Sequence, residues 1–265
     1  MPFSSTDSRR LALNAICLYV AAYLLTIMLH ELGHALTSLM LGGRPVLYNT
    51  SVQNTNPALS VTALVRIAVA GPLVSLGQGL LLLGYAHRTH RQGTGTLFLL
   101  YLGVFGLMNF LGYLMIAPLV PGGDTGQIVA LLRIPQWLQW GTAALALVAL
   151  SRAIRRTGPL FLALLPTEAQ ADVNLRTAGL RALLLWPWAV GSVLLVLLAV
   201  PAPQVSILLN IPMSSVVLWG ALRTGQQHPA GEAPATSLLR PQWLPALAVV
   251  VLAGLFRYLS AGVAW

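Results

Sequence analysis

TIMLHELGHALTSLM, residues 26–40, closes an apolar run that begins at Leu11 and reaches Leu41. Most of its residues suit an ordinary buried helix, and against that background His30, Glu31 and His34 stand out. An ionisable group at membrane depth costs roughly 2.5–3.5 kcal/mol on insertion scales, so a cluster of this kind demands a partner. The order of residues is H-E-x-x-H. On a helix, positions i and i+4 share a face, so both imidazoles can reach one ion. Glu31 projects beside that ion and can take a proton from water held there. Imidazole nitrogen with carboxylate oxygen is a common catalytic zinc set, with three protein ligands and one position left for water. A third ligand is therefore needed. Gly33, inside the motif, allows close backbone approach and brings no side chain that could block the site.

The surroundings say what kind of protein carries this motif. Hydrophobic residues make up 57% of the 265 and charged residues only 8%. Soluble domains carry about 25% charged residues, so a chain this poor in charge covers its surface with lipid. A span needs about 20 apolar residues. The runs 11–41, 61–86, 94–120, 124–151, 180–200, 203–222 and 242–262 qualify, with 124–151 interrupted by Arg133 and Pro135 and 203–222 weakened by Asn210 and Pro212. The expectation is an all-α polytopic membrane protein of six or seven transmembrane helices, multi-pass in a prokaryotic cell membrane, with the lipid bilayer as its constant partner. Residues 42–60, GGRPVLYNTSVQNTNPALS, alternate around central turn residues and predict a short strand pair after the first span.

The net charge of +9 comes from arginine alone, because the chain has no lysine. Those arginines sit in short clusters between apolar runs, the pattern of membrane-flanking loops, and no nucleic-acid partner is expected. With the N-terminus in the cytoplasm, eleven arginines fall inside and Arg44, Arg66, Arg133 and Arg257 outside. Cys17 is the only cysteine, so an internal disulfide and a cysteine-based metal site are both excluded. His87 and His90 read as part of a solvated basic loop, and the tryptophans near span ends as interfacial anchors.

The third ligand has few candidates. The chain has six acids: Asp7, Glu31, Asp124, Glu168, Asp172 and Glu232. Only Glu31 and Asp124 lie within or against apolar spans. Asp124 sits in APLVPGGDTGQIVALL, residues 117–132, where prolines and glycines break the backbone at membrane depth. Such a break is tolerated where it lines a cavity or packs in protein. Asp124 is favoured as the ligand, with a helix N-cap as its ordinary alternative.

Three elements in order, HELGHAL at 30–36, AGPLVSL at 70–76 and PGGDTG at 121–126, resemble the site-2 protease family of intramembrane metalloproteases. The resemblance covers about 30–130. It implies His30, His34 and Asp124 as zinc ligands and Glu31 as general base, with a membrane-spanning protein as substrate. It also implies that the strand pair helps to dock extended substrate. Residues 1–151 would form the catalytic core with four spans, and 152–265 two or three additional spans. Ser75 stands where the family often has Asn, and Gly123 and Thr125 flank the aspartate differently. Asn109 is expected to bond between helices, with a substrate or oxyanion contact as its functional alternative. The family usually turns its zinc toward the cytoplasm, whereas the arginine count turns this site outward, so the absolute orientation stays open.

Two other readings compete. Glu168 and Asp172, in E-A-Q-A-D, resemble an element of the CAAX-processing and heat-shock membrane zinc proteases, in which the glutamate is the third ligand. A non-proteolytic metal-handling membrane protein is the other; against it, no inverted repeat is visible.

Overall fold

The computed structural model describes residues 4–89, 93–200, 218–231, 237–239 and 242–265. In chain order the elements are α1 (Ser5–Met40), β1 (Pro45–Leu47), β2 (Val52–Asn54), α2 (Val61–Thr89), α3 (Thr94–Ile116), α4 (Asp124–Leu132) and α5 (Gln136–Leu162). Then come α6 (Thr167–Ala171), α7 (Val173–Leu180), a π-helical turn (Arg181–Leu185), α8 (Trp186–Ala199) and α9 (218–227). A 3₁₀ turn (Ser237–Leu239), α10 (Trp243–Leu259) and β3 (Val263–Ala264) complete the chain.

The fold is helical, as expected, with one small sheet among the described residues. Four helical stretches among them are long and apolar enough to cross a membrane: Thr6–Met40, Val61–Thr89, Thr94–Ile116 and Val173–Ala199. Their outer faces are apolar too; Leu81 on α2 and Leu197 on α8 are 74% and 61% exposed, which suits contact with lipid. The 36 residues of α1 extend about 54 Å at 1.5 Å per residue, more than the roughly 30 Å of a hydrocarbon core. The segment 203–222 falls largely outside the described residues.

The expected run at 124–151 is two helices. Arg133 adopts a left-handed conformation (φ 52°, ψ 44°), and Ile134 N donates to Val129 O at 3.0 Å, closing α4 after nine residues. Pro135 then starts α5, with Leu138 N and Gln139 N donating to its carbonyl.

The chain forms two compact units interleaved along the sequence. One holds residues 1–23, 82–102 and 151–253. Ser4 and Asp7 cap the start of α1 reciprocally, Asp7 N donating to Ser4 Oγ while the Ser4 N–H and hydroxyl donate to the Asp7 carboxylate. Tyr101 is buried at the centre of this unit, edge-on to Tyr19 at 5.7 Å and beside Phe161 at 5.8 Å, and its hydroxyl donates to Leu183 O. That bond meets the hydrogen-bonding need of a buried phenol.

The other unit holds residues 24–81, 103–150 and 254–265. The predicted strand pair is present: β1 and β2 run antiparallel, Pro45 opposite Asn54 and Leu47 opposite Val52. Sequence reading missed the third strand. β3 pairs with the other edge of β1, so the order is β2-β1-β3. Gly262 (φ +80°) makes the turn after α10; a Cβ there would press on Tyr48. In the same unit α2 and α3 meet through glycine. A Cβ at Gly106 would lie 2.6 Å from Ser75 O and 2.7 Å from Gly79 N, whereas at Gly77 and Gly84 it would meet open space. On α2, therefore, Gly79 serves helix packing and Gly77 and Gly84 do not.

Gly106→Ala should lower stability by about 1–3 kcal/mol, the usual cost of overpacking a tight contact. Gly77→Ala should be neutral or slightly stabilising, since alanine favours helix. Thermal unfolding of the two variants in detergent checks the contrast.

Candidate metal centre

His30 and His34 lie one turn apart on α1 and are 1% and 5% exposed. Asp124 is the first residue of α4. It is not an N-cap: Gly123 holds that place, without a side-chain bond. The Asp124 carboxylate goes to the histidines instead. Its Oδ2 is 2.9 Å from His30 Nε2 and 3.3 Å from His34 Nε2, and the two Nε2 atoms are 3.2 Å apart. Ligand atoms held at 2.0–2.1 Å around a tetrahedral ion are separated by ~3.3–3.4 Å, close to this triangle. His30, His34 and Asp124 are thus a group that could hold a metal ion.

The other ring nitrogens fix what the triangle presents. His34 Nδ1 lies 2.6 Å from the carbonyl of Ile67, which can only accept, so Nδ1 carries the proton. Nε2 of the neutral ring is then a lone pair aimed at a carboxylate. His30 Nδ1 is 3.0 Å from Ser75 Oγ, which also accepts from Asn109 Nδ2 at 3.0 Å. Tyr113 stacks on the His30 ring at 5.3 Å with planes 6° apart. These contacts hold both imidazoles with Nε2 inward, the arrangement that orients histidine ligands at metal sites. Asn109 acts here as an interhelical bond, as expected. Ser75, noted in the sequence only for standing where Asn is common, is the partner of His30. The support from Ile67 and Tyr113 left no signal in the sequence.

α2 passes over the triangle at Gly71. A Cβ built there would run into His34 Nε2 and lie 2.8 Å from His30 Nε2. Glycine keeps open the volume next to the ligand atoms. Gly33 works elsewhere: its missing side chain lets α2 approach, since a Cβ would lie 2.9 Å from Val74 Cγ2 and 3.2 Å from Ala70 O. Its expected role in leaving the ion face clear belongs to Gly71. Gly126 lets the chain deliver Asp124, because a Cβ there would strike Val120 O and Pro121. Three potential ligand atoms converging in a largely buried site, with room beside them, fit a metal cation.

Glu31 follows His30 on α1 and is 5% exposed. Among the described residues its carboxylate has no hydrogen-bond partner. Asp172 caps α7, accepting from Asn174 N at 2.8 Å and Leu175 N at 2.9 Å. Glu168 is exposed on α6, in the unit that does not hold the histidines, and the carboxylate gathered with them is that of Asp124. His87 Nδ1 bonds to Leu83 O at 2.7 Å, the ordinary helical back-bond, and His90 lies outside the described residues.

The purified wild-type chain should hold close to one metal ion, with Asp124→Ala and Gly71→Ala both losing it although alanine favours helix at position 71. Ser75→Ala should weaken affinity by about 10–100-fold, the usual effect of removing a ligand's supporting bond. Elemental analysis and competition with a chelator check all three. No family model, curated protein or solved structure matches the chain.

Proposed function

We propose that the chain is an intramembrane zinc metalloprotease of the site-2 protease type, with His30, His34 and Asp124 as ligands and Glu31 as general base. The observation that carries this reading is the convergence of two imidazoles and one carboxylate beside a buried, uncommitted glutamate. The donor set is that of catalytic rather than structural zinc, which favours four cysteine or histidine ligands. Charge supports a divalent ion: Asp124 and Glu31 together neutralise it, leaving two neutral imidazoles, and neutrality is what burial at low dielectric requires. The four long apolar helices support a multi-pass protein.

Bound zinc would supply Lewis acidity for a carbonyl and a lowered pKa for water. The residues do the rest. His30 and His34 are oriented by Ser75 and Ile67, so no ligand has to reorganise as charge develops. Glu31 accepts the proton of the attacking water and passes it to the leaving amine of the cleaved peptide. The substrate is a membrane-spanning protein, unwound at the cleaved bond, because a helical peptide group is shielded by its own hydrogen bonds.

Glu31→Gln should retain metal at the wild-type level and lose cleavage of a reconstituted membrane-protein substrate by 10²-fold or more, the range of a general base. Undiminished turnover in that variant would exclude Glu31 as the base.

A further inference from the structure

A cavity of about 290 Å³ opens in the unit that carries the metal centre. Its lining is largely apolar and comes from α2, α3, α4 and α5. Four lining residues follow a site residue directly in sequence: Pro72 after Gly71, Phe110 after Asn109, Leu114 after Tyr113 and Thr125 after Asp124. Consecutive Cα atoms are 3.8 Å apart, so four separate backbone segments run from the site to the cavity lining. Its volume is about twice the ~150 Å³ that accommodates benzene in an engineered protein cavity.

We infer that this cavity is the specificity pocket of the metal centre and takes a large apolar side chain, leucine-sized to bicyclic aromatic, next to the bond to be cut. The inference rests on the hydrolase reading above and adds the side-chain class that the site selects. The occupant is a substrate side chain because the cavity is built on the segments that carry the site: Thr125 follows the ligand Asp124, and Pro72, Phe110 and Leu114 follow residues packed around the histidines. A peptide whose carbonyl lies at the ion places a neighbouring side chain within reach of those walls. Leu138 and Thr142, both on α5, line the same cavity and give control over its size without touching a ligand.

The test uses the full zinc-loaded chain in lipid nanodiscs and a series of peptide hydroxamates. The chelating group is common to all; the adjoining side chain is Gly, Ala, Leu, Phe or naphthylalanine. Wild type should bind the Leu and Phe members at least tenfold tighter than Gly, the discrimination an apolar pocket gives. Thr142→Phe should level the series. Leu138→Ala, at a half-exposed position, should favour naphthylalanine over Phe more than wild type does. Chelation with equal affinity across the wild-type series would overturn the pocket and leave the hydrolase reading standing. A zinc-loaded chain that binds no hydroxamate at all would overturn the hydrolase reading and the pocket with it.

Discussion

Two imidazole nitrogens and a carboxylate oxygen lie within 3.3 Å of one another in a mostly apolar setting, and they repel unless a positive charge sits between them. The Ile67 carbonyl fixes a proton at His34 Nδ1, so the neutral ring turns its Nε2 lone pair inward. Much of the local structure serves this one demand. Ser75 and Tyr113 hold His30, Gly71 leaves the adjacent space open, and Gly126 lets the loop before α4 fold tightly enough to bring Asp124 in. A change to any of these four acts on the site without altering a ligand.

His30, Glu31, His34 and Ser75 are each 5% exposed or less and belong to one cluster; Thr26 and Ser38 are the other polar side chains buried in this unit among the described residues. In the other unit the committed acids do ordinary work: Asp7 in a capping box and Asp172 at a helix start. Glu31 differs from both in having no backbone donor to satisfy, which leaves its carboxylate available for proton transfer. The apolar cavity adjoining the cluster gives the site a shape as well as a charge.

Much of this was legible in the sequence because rarity and period are local signals. Two histidines four apart need only helical geometry to share a face, and a carboxylate in an apolar, glycine-rich segment needs a reason to be there. Alternation around turn residues gave the strand pair, and Arg133 with Pro135 gave the break between α4 and α5. The rest depends on contacts that sequence spacing does not encode. β3 joins β1 from more than 200 residues away through a two-residue strand, too short to carry a pattern. Ile67 supports His34 with a main-chain carbonyl, which has no residue signature. Gly33 and Gly71 look alike in sequence; only packing assigns one to helix approach and the other to the open space at the ligands.

X-ray absorption at the zinc edge of the purified, metal-loaded chain tests the central claim most directly. The account predicts a light-atom shell at about 2.0–2.1 Å with the outer-shell scattering of two imidazoles, and no sulfur shell. A sulfur shell at about 2.3 Å, or scattering from fewer than two imidazoles, would contradict it.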